Sequence, residues 1–101
     1  LPKSVHIAGV PVKIVREDLS DENGRSKGYF GYYSHERKTI VVDSNLKPAE
    51  VKATVRHEML HACFAFSGLD RLDTFAEESV VVCLEELFFG PWERFCKRFK
   101  A

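Results

Sequence analysis

The sequence predicts an α+β domain, in which a small antiparallel-rich sheet precedes a motif-bearing helix, a second, glutamate-bearing helix and a short C-terminal helix. Three observations predict it. β-Branched and aromatic residues dominate the first 44 positions, helical spacing of apolar residues begins at Pro48, and glycine or proline punctuates each transition. At 101 residues the chain suits one domain spanning 1–101, with one modest core.

Each element has a local reason. Ser4 to Ala8 and Val12 to Arg16 alternate around Gly9 and Pro11, which predicts a hairpin. A polar stretch from Glu17 to Lys27 follows, and its Asp21-Glu22-Asn23-Gly24 is turn chemistry. Tyr29, Phe30, Tyr32 and Tyr33 suit a strand. Ser34 to Arg37 turns the chain into Thr39-Ile40-Val41-Val42, a strand by its β-branching.

Pro48 fits a first helical position and Glu50 a first turn, with Ser67-Gly68 as the stop. A second helix is expected from about Thr74 to Phe89, closed by Gly90-Pro91, and a third from Trp92 to Phe99.

Composition narrows the function classes. Lysine plus arginine balances aspartate plus glutamate at 15 each, so no global charge draws the chain to nucleic acid or membrane. Neither is expected as a partner, and the sequence leaves the oligomeric state open. No apolar run is long enough to span a bilayer. Cys63, Cys83 and Cys96 are odd in number and lack C-x-x-C spacing, so reduced, mostly buried thiols in the cytoplasm are expected.

The chemistry lies in His57-Glu58-Met59-Leu60-His61. Histidines four apart on a helix project from one face and can grip one zinc ion at about 2.0–2.1 Å each. Glu58, turned ~100° around the helix, falls beside the metal, where it can hold a water and take its proton. The competing reading is two solvated histidines on a charged helix. His6 and His35 read as surface or turn residues.

A catalytic zinc needs a third protein ligand, and Glu77, Glu78, Glu85 and Glu86 compete for that place. Val80, Val81, Leu84, Leu87 and Phe88 form one helical stripe, with Glu77 near its centre and Glu78 on its flank. A carboxylate on an apolar face needs a charged partner, which favours Glu77, with Glu78 as the alternative. Glu77 also matches a capping box with Thr74.

Taken together, Thr54 to Ala62, Ser67-Gly68-Leu69 and Glu77-Glu78-Ser79-Val80-Val81 resemble the gluzincins, metallopeptidases with HExxH and a downstream glutamate on a second helix. The likeness is to their minimal forms, including phage-type metallopeptidases and the zincin core of the ImmA/IrrE family, and covers roughly residues 28 to 90. It implies a zincin-like fold and a zinc-dependent hydrolase acting on a protein or peptide. It further implies His57, His61 and one of the glutamate pair as metal ligands, and Glu58 as general base.

By the same resemblance, the strand before the motif helix is an open edge for substrate, which makes Ile40, Val41 and Val42 the expected docking residues. Tyr29, Tyr32 and Tyr33 are candidate oxyanion donors. The sequence departs from larger gluzincins in its short His61-to-Glu77 spacing, in Ala76 before Glu77, and in lacking a second subdomain.

In the C-terminal tail, Trp92, Phe95, Cys96 and Phe99 form an apolar stripe opposite Arg94, Lys97, Arg98 and Lys100. Packing of that stripe on the domain is expected. Two alternatives to a peptidase stand: a zinc-bound recognition module without turnover, and a protein that binds partners through its helices.

Overall fold

Alternation in the first half of the chain builds a four-stranded sheet. The computed structural model describes residues 1–25 and 28–100, so Ser26 and Lys27, at the end of the expected polar loop, lie outside the described residues. Strand β1 (Ser4–Ile7) pairs antiparallel with β2 (Val10–Glu17). Ala8 and Gly9 join them with positive φ of 53° and 75°, the mirror-image turn that matches strand twist. Val12 and Ile14 of β2 are buried while the alternating Pro11 and Lys13 are exposed, the period-two pattern of a half-covered strand.

Strand β3 (Gly31–Ser34) and strand β4 (Thr39–Asp43) follow, and the sheet order is β1-β2-β4-β3. β4 is therefore central, parallel to β2 and antiparallel to β3. All five of its residues are buried, as a β-branched run in mid-sheet requires. This corrects the expected docking edge. The main-chain groups of Ile40, Val41 and Val42 are flanked by ladders on both sides and cannot accept an added strand. The free edge beside the helices belongs to β3.

Helix α1 (Pro48–Ser67) has the boundaries its sequence signals. Pro48 occupies the first turn, the Glu50 carboxylate accepts a hydrogen bond from the Lys47 N–H at 3.0 Å, and Gly68 ends the helix in the left-handed conformation. Val51, Thr54, Glu58 and Ala62 are buried along one face. Val51 and Ala62 join Ile7, Val12, Ile14, Ile40 and Val42 in the core. Gly31 is where sheet and helix come closest: a Cβ there would lie 2.4 Å from the Val41 carbonyl oxygen and 2.9 Å from Thr54 Cγ2. Only glycine fits at that position.

After a 3₁₀ turn (Leu69–Arg71), α2 (Thr74–Val82) begins with Asp73 as its cap, whose carboxylate accepts from the Ala76 N–H at 2.8 Å. The chain does not stop at Gly90-Pro91 as expected. It widens into a π-helical turn (Cys83–Phe88) and continues as α3 (Phe89–Arg98). A wide turn just ahead of Pro91 absorbs the register change that a proline without an N–H demands.

Two further expectations are corrected. α3 buries none of its residues and packs mainly on the π turn, with the Arg56 guanidinium of α1 5.3 Å from the Phe89 ring, so the aromatic stripe is not part of the core. The radius of gyration, 15.0 Å, exceeds the ~13 Å of a compact domain this size because α3 projects from the rest. Cys63, Cys83 and Cys96 are exposed free thiols rather than buried ones. No helix among the described residues is long and apolar enough to cross a membrane.

Candidate metal centre

α1 and the α2–π segment supply every residue of the site. His57 and His61, one turn apart on α1, are partly buried, with ring centroids 4.9 Å apart. Their Nε2 atoms face each other at 3.2 Å. Glu78 of α2 brings its Oε1 to 2.9 Å from His61 Nε2. One donor atom from each of His57, His61 and Glu78 lies within 4.8 Å of the others.

The other ring nitrogens are occupied. His57 Nδ1 lies 2.7 Å from Glu85 Oε1, and His61 Nδ1 lies 2.6 Å from Glu77 Oε1. An ionised carboxylate only accepts, so each Nδ1 carries the proton and donates. His61 Nε2 faces both His57 Nε2 and Glu78 Oε1, and either a proton on that nitrogen or a cation among the three atoms satisfies them.

The separation of the two imidazoles matches a small tetrahedral ion, while the 2.9 Å between His61 Nε2 and Glu78 Oε1 is shorter than such a centre sets. Two ligands each about 2.0–2.1 Å from a tetrahedral centre stand about 3.3 Å apart, close to the 3.2 Å between the Nε2 atoms. Imidazole nitrogen and carboxylate oxygen form a donor set suited to zinc, and the Nδ1–H···carboxylate pairs are the supports that metal-binding histidines use.

Helix periodicity favoured Glu77 as the third ligand, and the geometry favours the alternative, Glu78. Glu77 holds the far nitrogen of His61 instead, and the α2 cap is Asp73, so Glu77 does not close a box on Thr74. The reason is the rotation of α2. Only part of the apolar stripe turns to α1: Val81 is buried and Leu84 half-buried, but Val80, Leu87 and Phe88 are exposed, while Glu77 and Glu85 are largely covered and Glu78 reaches His61 from the rim. Carboxylates on the inner face are tolerated because the histidines meet them.

Glu85, weighed only as a competing ligand, proves to be the partner of His57, with the Arg56 guanidinium 4.0 Å from its other oxygen. The signal was its seven-residue separation from Glu78, which puts both on one helical face. Glu86 is exposed and takes no part.

Glu58 lies on the buried side of the motif, 7% exposed. Burial raises its pKa above the usual carboxylate range, His57 and His61 offset part of the rise, and Glu78 and Glu85 add to it. A cleft of about 620 Å³ opens beside it, bounded by Tyr29, Phe30 and Gly31 on one side and Ala53, Thr54 and His57 on the other.

Of the three candidate tyrosines only Tyr29 lines this cleft. The Tyr32 hydroxyl accepts from Arg37 at 3.3 Å, and the Tyr33 hydroxyl is 2.7 Å from His35 Nδ1, its pKa raised by burial and by Cys63. His35 stacks edge-on against Phe66 and His6 is exposed in β1, so neither joins the site. Comparison of the chain with protein-family models, curated proteins and solved structures finds no match.

Proposed function

We propose that this chain is a zinc-dependent peptidase with a zincin-like arrangement, His57, His61 and Glu78 holding the metal and Glu58 acting as general base. The observation that carries this reading is the convergence of His57 Nε2, His61 Nε2 and Glu78 Oε1, with both Nδ1 atoms held by carboxylates.

A zinc ion held there supplies Lewis acidity and lowers the pKa of a water toward ~7. The residues do the rest. Glu85 and Glu77 keep the two imidazoles in the tautomer that offers Nε2. Glu58, made more basic by burial, accepts the proton of the attacking water and returns it to the departing amine. Three protein ligands leave the fourth position open, which distinguishes a catalytic from a structural donor set.

The cleft beside Glu58 suits an extended peptide, and β3 offers the free sheet edge next to it, with Tyr29 lining the cleft. Exposed thiols without disulfides fit a reducing compartment, so the cytoplasm is the proposed location.

Zinc content and peptide hydrolysis, measured on wild type and Glu58→Gln together, test the reading. Stoichiometric zinc in both with hydrolysis only in wild type is the expected result. Zinc without hydrolysis in either makes the chain a recognition module. Absence of zinc from both overturns the assignment.

A further inference from the structure

α3 is amphipathic without a partner. Phe88, Trp92, Phe95 and Phe99 recur at helical spacing and stack in series, with ring centroids 6.1, 5.5 and 5.6 Å apart. Each is about half exposed or more, Phe99 reaching 60%. A stripe of this size on a helix that packs mainly on the preceding turn, with Phe89 against Arg56 of α1, is not explained by the fold.

Charge points to what covers it. From Phe89 to Lys100 there are four basic residues, Arg94, Lys97, Arg98 and Lys100, against one acidic residue, Glu93, a net of +3. The whole chain is neutral, so the remainder carries −3. A second copy of this chain would set one +3 helix against another. A coiled-coil partner would meet Leu or Ile knobs, whereas this stripe is three phenylalanines and the sole tryptophan.

Trp and Phe on one face, Lys and Arg on the other, and low net hydrophobicity are the features of a helix that lies in the plane of a lipid interface. The four stripe residues are exposed, so the face is open to a flat surface. We infer that α3 docks on the surface of an anionic phospholipid bilayer, the aromatic stripe at the headgroup boundary and the basic face toward the headgroups. An anionic surface attracts this helix and repels the rest of the chain, which orients the domain. The inference is independent of the metal centre.

Trp92 is the only tryptophan and reports directly. The intact protein is mixed with vesicles of phosphatidylcholine alone, or containing about a third phosphatidylserine, and Trp92 emission and co-sedimentation are read. A blue shift and binding are expected with the anionic vesicles only, weakening as salt rises. Lys97→Gln with Arg98→Gln should weaken binding about 25-fold, near fivefold per charge removed. Phe95→Ser with Phe99→Ser should abolish it.

Neither pair removes a buried side chain, so circular dichroism should be unchanged. If the aromatic pair fails to fold, the charge pair still decides. Emission unmoved by anionic vesicles, or equal binding to both vesicle types, overturns the inference. So does a blue shift that follows protein concentration without lipid, which would identify a second copy as the occupant.

Discussion

The Nε2 atoms of His57 and His61 stand 3.2 Å apart, and the Nδ1 atom of each ring is paired with a glutamate, Glu85 for His57 and Glu77 for His61. A cation held only by this folded arrangement would link metal content to stability.

About one zinc per chain is expected, lost on His57→Ala or His61→Ala. Zinc at a hundred times its Kd should add ~2.7 kcal/mol to unfolding stability, so chelation lowers Tm. Elemental analysis and a melting curve with and without chelator check both points. Stoichiometric zinc in either alanine variant after dialysis would count against the site.

The three glutamates should separate by role. Glu78→Ala removes a ligand and should cut zinc affinity by orders of magnitude. Glu77→Ala and Glu85→Ala remove supports of the imidazoles and should cost ~10–100-fold. Parallel zinc titrations rank them. A Glu77 variant weaker than the Glu78 variant would return the ligand role to Glu77.

Glu58→Gln should keep zinc and lose ~10²–10⁴-fold in hydrolysis, the usual worth of a general base. The same change should stabilise the metal-free protein, since a buried amide avoids the desolvation of a carboxylate. Denaturant melts of both apo proteins at neutral pH read this directly, and a less stable variant contradicts it.

Gly31→Ala should destabilise the fold by about 1–3 kcal/mol, as overpacking does, because its Cβ meets the Val41 carbonyl and Thr54. Gly9→Ala meets no neighbour, so its cost is confined to the left-handed backbone. Urea unfolding of the pair separates close approach from turn strain.

Ile40→Pro should abolish cooperative unfolding rather than merely impair peptide binding, since β4 is central and proline removes a ladder bond. A variant that melts cooperatively with wild-type Tm would contradict that placement.

Local signals in the sequence were sufficient wherever a structure depends on neighbours in the chain. The hairpin at Ala8-Gly9, the bounds of α1 at Pro48 and Gly68, and the shared face of His57 and His61 all follow from residues a few positions apart. Helix rotation and strand order do not. Counting apolar residues turned α2 by its most hydrophobic stripe. In the folded chain the Glu78 and Glu85 carboxylates meet His61 and His57, while Leu87 and Phe88, in the π turn, are exposed. Likewise the β-branching of Ile40, Val41 and Val42 announced a strand but not its neighbours. Only long-range pairing with β2 and β3 made it central, and so left the open edge to β3. The sequence by itself picked out the residues that cluster, His57, His61 and the glutamates of the second helix. Tertiary structure decided which glutamate meets His61 Nε2, because that depends on how two helices are rotated against each other.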